Sequence, residues 1–386
     1  MINLIEDTID HKDIDGLIEW LKQYPRLTKG DLTIHFEKKW SKWLGTNHST
    51  FVNSGSSANL LMYYALQLSG RMRNNKVVVP TVSWATSVTP AIQFGMEVIF
   101  CDVDLDTLGV NIEHLEKIFI KYEPSALLIV QPLGFVCKMN EIIMLCHKYN
   151  VLLLEDSCET VGSTCNGIKT GNFGLMSSFS YYFGHHMSTI EGGMICTNDE
   201  EIDDILKMIR SHGWDRDLSK EKQKKLRTEN NVEELRALYT FYVPGFNLRA
   251  TDLQAFIGIH QIKKLEHLIK IRNENFYTYH ENIDNRFWKI NPNTKETISN
   301  FAYPIIHPKA KYLSKVLFDN HIQNRPLICG SMTQQPFIKK IQTYEDTPIA
   351  NIYVHEKGLY LPNHDKLNKE QILSICKIVN EVFNGE

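Results

Sequence analysis

Short apolar runs, many of them β-branched, alternate with longer amphipathic stretches along the first two-thirds of this chain. Residues 77–79, 97–100, 126–131, 151–154, 176–182 and 193–196 read as strands. The stretch up to residue 94 that follows the first run reads as a helix. Residues up to about 70 read as helices throughout, with an amphipathic one near 32–44. Short apolar strands separated by helical segments predict a mostly parallel sheet covered on both faces, with ligands at the carboxyl ends of its strands. Residues 219–234 are dense in charge and read as a surface helix or loop. A loop around 244–247 leads into a helix near 251–268. The composition then changes: 291–294 and 304–308 are turn-rich, and 369–383 reads as an amphipathic helix. The pattern predicts a large domain over 1–250 and a smaller one over 251–386, with no repeat or long linker.

Charge narrows the partners. The chain has 386 residues and a formal net charge of −3. It offers no broad basic field for nucleic acid or an anionic membrane, so anionic ligands must be held locally. The opening residues are acidic and polar, unlike a secretion signal, and no uncharged apolar stretch approaches the length of a membrane span. Eight cysteines stand singly with no CxxC pair, which gives a metal site or iron–sulfur cluster no support. Free thiols without a secretion signal predict a cytoplasmic protein.

Five segments carry candidate chemistry, each with a plain structural reading when taken alone. Asn53-Ser54-Gly55-Ser56-Ser57-Ala58-Asn59 precedes an apolar helix, and small residues at a helix start let N–H groups and hydroxyls close on a phosphate. Trp84 follows a strand and suits stacking on a flat heteroaromatic ring. Asp156 ends the run Leu152-Leu153-Leu154-Glu155-Asp156, where a carboxylate pairs well with a pyridinium nitrogen. The segment from Ser178 to Gly193 joins two strands and holds Ser180, another phosphate donor, and His185 and His186, an acid–base pair expected near neutral pH. Pro244-Gly245-Phe246-Asn247-Leu248-Arg249 begins a helix.

Together with Phe36-Glu37 and Trp43-Leu44-Gly45 ahead of the serine loop, the order and spacing resemble the DegT-type sugar aminotransferase family of fold-type I pyridoxal 5'-phosphate (PLP) enzymes. The resemblance runs from about residue 27 onward. It implies an α/β fold with a mostly parallel central sheet and a smaller C-terminal α+β domain. It also implies that Gly55, Ser56, Ser57 and Ser180 bind the cofactor phosphate, that Trp84 stacks on the ring, and that Asp156 meets the ring nitrogen. Glu159 is placed near the ring hydroxyl, where most members have glutamine. Asn247 is expected to reach the phosphate of a second subunit, since the family builds its sites across a homodimer. His186, Arg249 and Arg325 are the candidate substrate contacts, Arg325 because a guanidinium suits a glutamate carboxylate or a sugar diphosphate.

One position departs from the aminotransferases. They carry a lysine six residues before the glutamate of a Glu-Gly-Gly run, and counting back from Glu191 gives His185. An imidazole cannot make the covalent anchor that an ε-amine makes. Gly184-His185-His186-Met187-Ser188-Thr189-Ile190-Glu191 resembles instead the family members like GDP-4-keto-6-deoxy-D-mannose 3-dehydratase. That implies removal of the 3-hydroxyl from a nucleotide-linked 4-keto-6-deoxy sugar for deoxysugar and O-antigen synthesis. His185 is the implied base, pyridoxamine 5'-phosphate (PMP) the working form, and glutamate the amino donor. A sugar aminotransferase and an inactive cofactor-binding homologue are the alternatives. Their products separate them.

Overall fold

The computed structural model describes every residue except 293–294, 342–344 and 385–386. The turn-rich reading of 291–294 therefore falls partly outside the described residues.

Two helices, α1 (His11–Leu21) and α2 (Asp31–Leu44), lead into strand β1 (His48–Val52) and helix α3 (Gly55–Leu68). Then come β2 (Lys76–Pro80), α4 (Ala85–Gln93), β3 (Glu97–Cys101), α5 (Ile112–Tyr122), β4 (Ala126–Val130), α6 (Met139–Tyr149) and β5 (Leu152–Asp156). A two-residue hairpin, β6 (Thr164–Cys165) and β7 (Ile168–Lys169), precedes β8 (Met176–Ser180) and β9 (Gly193–Thr197). Seven strands form one sheet in the order β1-β9-β8-β5-β4-β2-β3. Strands β3, β2, β4, β5 and β8 run parallel, while β9 and β1 pair antiparallel at one end. The all-buried run Ala126–Val130 in β4 is what a strand covered on both faces requires.

Strand β1 corrects the all-helical reading of the first seventy residues. Its sequence His48-Ser49-Thr50-Phe51-Val52 is half polar, yet Thr50 and Val52 are buried because α2 and the later helix Glu200–Arg210 cover it. Helix α2 ends at Gly45, whose φ of 93° no β-carbon-bearing residue adopts cheaply.

Helices α7 (Glu200–Arg210) and α8 (Lys220–Glu229) follow, with α8 occupying the charge-dense segment. The single helix expected near 251–268 is two: α9 (Asp252–Gln261), opened by a capping box of Thr251 and Gln254, and α10 (Leu265–Asn282). Helix α9 packs on α2, and α2 buries Phe36 and Trp40 in a cluster with Ala255 and Leu265. Beyond α10 lies a three-stranded sheet, β10 (Tyr303–Ile306), β12 (Gly358–Leu361) and β11 (Arg325–Pro326), in the order β10-β12-β11, with α11 (Ala310–Asp319) and α12 (Lys369–Asn384) against it. Residues 304–306 are thus strand rather than turn. Pro304 is tolerated because β10 is an edge. The segment before α1 is tied to the stretch between α11 and β11: the Ile2 N–H donates to the His321 carbonyl, and the Gln323 N–H to the Ile2 carbonyl.

Candidate active site

The carboxyl ends of β2, β4, β5 and β8 and the start of α3 surround a cavity of about 360 Å³. Its inner end is built on the large sheet. Ser54 caps α3, accepting from the Ser57 N–H at 3.0 Å, so the first turn of the helix faces the cavity through Gly55 and Ser56. A β-carbon on Gly55 would stand 2.6 Å from Cβ of Ser180, so glycine is what lets α3 meet the end of β8. Asp156 is buried. Its Oδ2 accepts from Asn59 Nδ2 and Ser87 Oγ, each at 2.7 Å, and its Oδ1 accepts from the Cys158 N–H. These donors are all neutral, so the carboxylate has no cationic hydrogen-bond partner among the described residues. Asn59 is itself fixed by Ser178 Oγ, which donates to its Oδ1 at 2.6 Å. Trp84 forms one wall and is 56% exposed.

The outer end comes from scattered segments: Ile5, Tyr182, Phe301, Arg325, Ile328 and Tyr360. Between the two ends lies half-buried His185. Its Nδ1 is 2.9 Å from the Cys158 carbonyl, which only accepts, so Nδ1 carries the hydrogen and Nε2 keeps its lone pair. Phe301 packs against the ring at 5.2 Å. Burial lowers the imidazole from its ordinary 6.5 to about 4; the Cys158 carbonyl and Asp156 oppose the shift, and the Arg272 guanidinium adds to it. The neutral-range value expected from sequence does not hold, because the walls remove the water that would solvate an imidazolium.

His186 points elsewhere. It is fully buried, its Nε2 donates to the Ser299 carbonyl at 2.8 Å, and it does not line the cavity. Glu159 does line it, with Oε2 accepting from the Leu133 N–H at 2.9 Å; burial raises its carboxyl to about 7. Ser57, Asn247 and Arg249 lie outside the lining of this single chain. Asn247 is exposed and accepts from Arg249 Nε at 3.0 Å, while the Arg249 guanidinium lies 5.5 Å from the Trp214 ring. Nearer the carboxyl terminus, His364 is buried against the Asn3 carbonyl, and His355 and Glu356 are exposed and do not line the cavity. Sequence reading missed Ser87, Thr86 and Ile5, and it placed Asn59 in the serine loop without its role on Asp156. None of the first three belongs to a run or motif; only the fold brings them to the site.

Among the described residues, no lysine lines the cavity. No cluster of three metal-ligating side chains occurs among the described residues, and no helix among them is long and apolar enough to cross a membrane. The profile of the DegT/DnrJ/EryC1/StrS aminotransferase family matches residues 8–380. The chain belongs to that family.

Within the DegT/DnrJ/EryC1/StrS family its similarity runs to proteins with a dehydratase name. GDP-4-keto-6-deoxy-D-mannose 3-dehydratase of Yersinia pseudotuberculosis is 32% identical over 99% of both chains. The protein of that name from Escherichia coli O55:H7 is 34% identical over 93% of both. A crystal structure of GDP-4-keto-6-deoxymannose-3-dehydratase with a trapped PLP-glutamate geminal diamine superposes with a TM-score of 0.89. It is 30% identical, and the match covers 98% of this chain and all of that one. The expected fold, a PLP-transferase α/β architecture with a mostly parallel central sheet, is therefore the observed one.

Proposed function

We propose that this protein removes the 3-hydroxyl from a nucleotide-linked 4-keto-6-deoxy sugar, using PMP regenerated by glutamate. One observation carries the reading: an imidazole with a free Nε2, and no lysine, stands in the cavity between the carboxylate end and the open end.

The inner end fits the cofactor. A buried carboxylate with only neutral donors suits a protonated ring nitrogen, and the Gly55–Ser180 approach leaves a small concave surface beside a helix start, which suits a phosphate. On this reading Gly55, Ser56, Ser57 and Ser180 hold the phosphate, Trp84 covers the ring, and Glu159 faces its hydroxyl. When bound, PMP supplies an amine for the 4-keto carbon and a ring that accepts electrons.

The chain's own residues do the rest. Asp156 faces the ring nitrogen and is held in one orientation by Asn59 and Ser87. His185 Nε2 takes and returns a proton, while Nδ1–H on the Cys158 carbonyl keeps the ring aimed. Its low proton affinity keeps the free-base form present throughout the neutral range. A lysine in that place would favour return of the proton and formation of an amino sugar; an imidazole leaves the 3-hydroxyl to depart. Arg325, at the outer end, grips a glutamate carboxylate or the sugar diphosphate. His186, locked to Ser299, is the weaker candidate for substrate contact.

The same reading takes two copies as the working unit. Exposed Asn247 and half-buried Arg249 then reach a partner's cavity. The outward apolar side chains nearby support this: Leu235 is 86% exposed, Tyr239 73% and Phe241 55%. The division into a cofactor-binding part over 1–250 and a smaller part over 251–386 belongs to this proposal too, as does a cytoplasmic setting, which fits eight unpaired cysteines.

The test is to incubate the protein with PLP, glutamate and a panel of nucleotide 4-keto-6-deoxy sugars, and to weigh the products. Deoxygenation gives a sugar lighter by one oxygen, with ammonia and 2-oxoglutarate released. Transamination gives a 4-amino sugar without free ammonia and contradicts the reading. Absence of turnover on every sugar favours an inactive homologue.

A further inference from the structure

The outer end of the cavity contains a side chain from the opening segment of the chain. The segment is tied down on both sides of it. Ile2 pairs with the strand-like stretch at Ile322, the Leu4 N–H donates to Gln323 Oε1 at 3.1 Å, and His364 Nε2 donates to the Asn3 carbonyl at 3.1 Å. Leu4 is buried in the core of the second sheet. These ties hold Ile5, next in sequence, over the cavity. Its Cδ1 lies so near Gly184 that a β-carbon there would stand 2.7 Å away. Gly184 immediately precedes His185, so Ile5 is an apolar wall beside the imidazole.

We propose that Ile5 is a specificity-determining residue: it forms the wall against which the sixth carbon of the sugar rests and selects a methyl group there over a hydroxymethyl group. The proposal rests on the dehydratase reading above. Its geometry follows from the sugar ring. The reacting fourth carbon must lie by His185, and the sixth carbon hangs on the fifth, two bonds away. The substituent on that side cannot avoid the walls around the imidazole. Ile5, Phe301 and Ile328 supply apolar surface there. A hydroxyl pressed against Ile5 would lose its water with no acceptor or donor from that side chain. An apolar wall of this kind discriminates against an added hydroxyl by about 10- to 100-fold.

Binding tests this without requiring turnover. Titrate the PLP-loaded protein with GDP-mannose and with its 6-deoxy counterpart by calorimetry, for the native chain, Ile5→Ser and Ile5→Leu. The native chain is expected to bind the 6-deoxy sugar about 10- to 100-fold more tightly, Ile5→Leu to keep that ratio, and Ile5→Ser to bring it close to one. Each ratio is internal to its variant, so a general weakening from loosened packing leaves it unchanged. An Ile5→Ser ratio equal to the native one, or a native protein that binds both sugars alike or neither, overturns the assignment. The product assay is read separately. A native chain that makes no deoxygenated sugar yet loses its methyl preference in Ile5→Ser defeats the dehydratase reading and leaves the Ile5 assignment standing.

Discussion

The two ends of the cavity are built in different ways. The inner end is made of strand ends and a helix start within one sheet, and its polar atoms are bonded to each other: Asp156 to Asn59 and Ser87, Asn59 to Ser178. The outer end gathers Phe301, Arg325 and Tyr360 from separate segments and Ile5 from nearly three hundred residues away, with aromatic and apolar surface predominating. A rigid, pre-bonded end suits a cofactor that is always the same, and an assembled end suits a substrate that differs between relatives. His185 and His186 repeat the contrast in miniature. One imidazole keeps a free nitrogen in the cavity; its neighbour is spent on the Ser299 carbonyl. On the proposed reading, reaction type depends on one loop side chain, while the surrounding frame is that of the DegT/DnrJ/EryC1/StrS aminotransferase family.

The sharpest way to break this comparison is His185→Asn. Loss of the base should slow dehydration by about 10²–10⁴-fold, while PLP binding, followed by absorbance, stays near native because the inner end is intact. His186→Asn should instead lower the melting temperature and leave the chemical step largely unchanged. The next effect is at the inner end. Asp156→Asn removes a charged partner for the ring nitrogen and should cost about 1.5–3 kcal/mol in cofactor affinity, measured by equilibrium titration. Gly55→Ala forces a β-carbon into Ser180 and should cost about 1–3 kcal/mol in stability, with weakened PLP retention, read by thermal melting with and without cofactor.

The smallest effect is in the pH dependence of stability, where two groups act with opposite sign. His185 is depressed from 6.5 to about 4, so the unfolded chain binds the extra proton, and this group's contribution is complete above 6.5 and is lost as pH falls toward 4. Glu159 is raised from 4.5 to about 7, so the folded chain binds the extra proton, and its contribution is complete below 4.5 and is lost as pH rises toward 7. Glu159→Gln removes the opposing group. Its melting temperature should therefore rise more steeply than the native one between pH 4.5 and 6.5, and equal slopes would show that Glu159 does not titrate there.

The same contrast explains what could be read from sequence. The parallel strands were legible because buried runs such as Ala126–Val130 leave no polar alternation, and Gly55, Asp156, Ser180 and His185 were legible because they sit at fixed offsets within segments. Strand β1 was not, since its polar residues are buried only by helices that come before and after it. The break between α9 and α10 was also missed, because the apolar spacing continues across it. The pairing of Asn59 and Ser87 with Asp156 gave no signal: an asparagine in a helix and a serine in the next look ordinary until Asp156 is folded between them. The low proton affinity of His185 is likewise a tertiary property, set by enclosure rather than by neighbours in sequence.

The absence of a covalent anchor is open to one direct measurement. Load the protein with PLP, treat it with borohydride, denature it and weigh the intact chain. With an imidazole where the lysine would stand, the mass should remain that of the polypeptide alone. A chain heavier by one reduced cofactor, mapped to any lysine, would contradict the account.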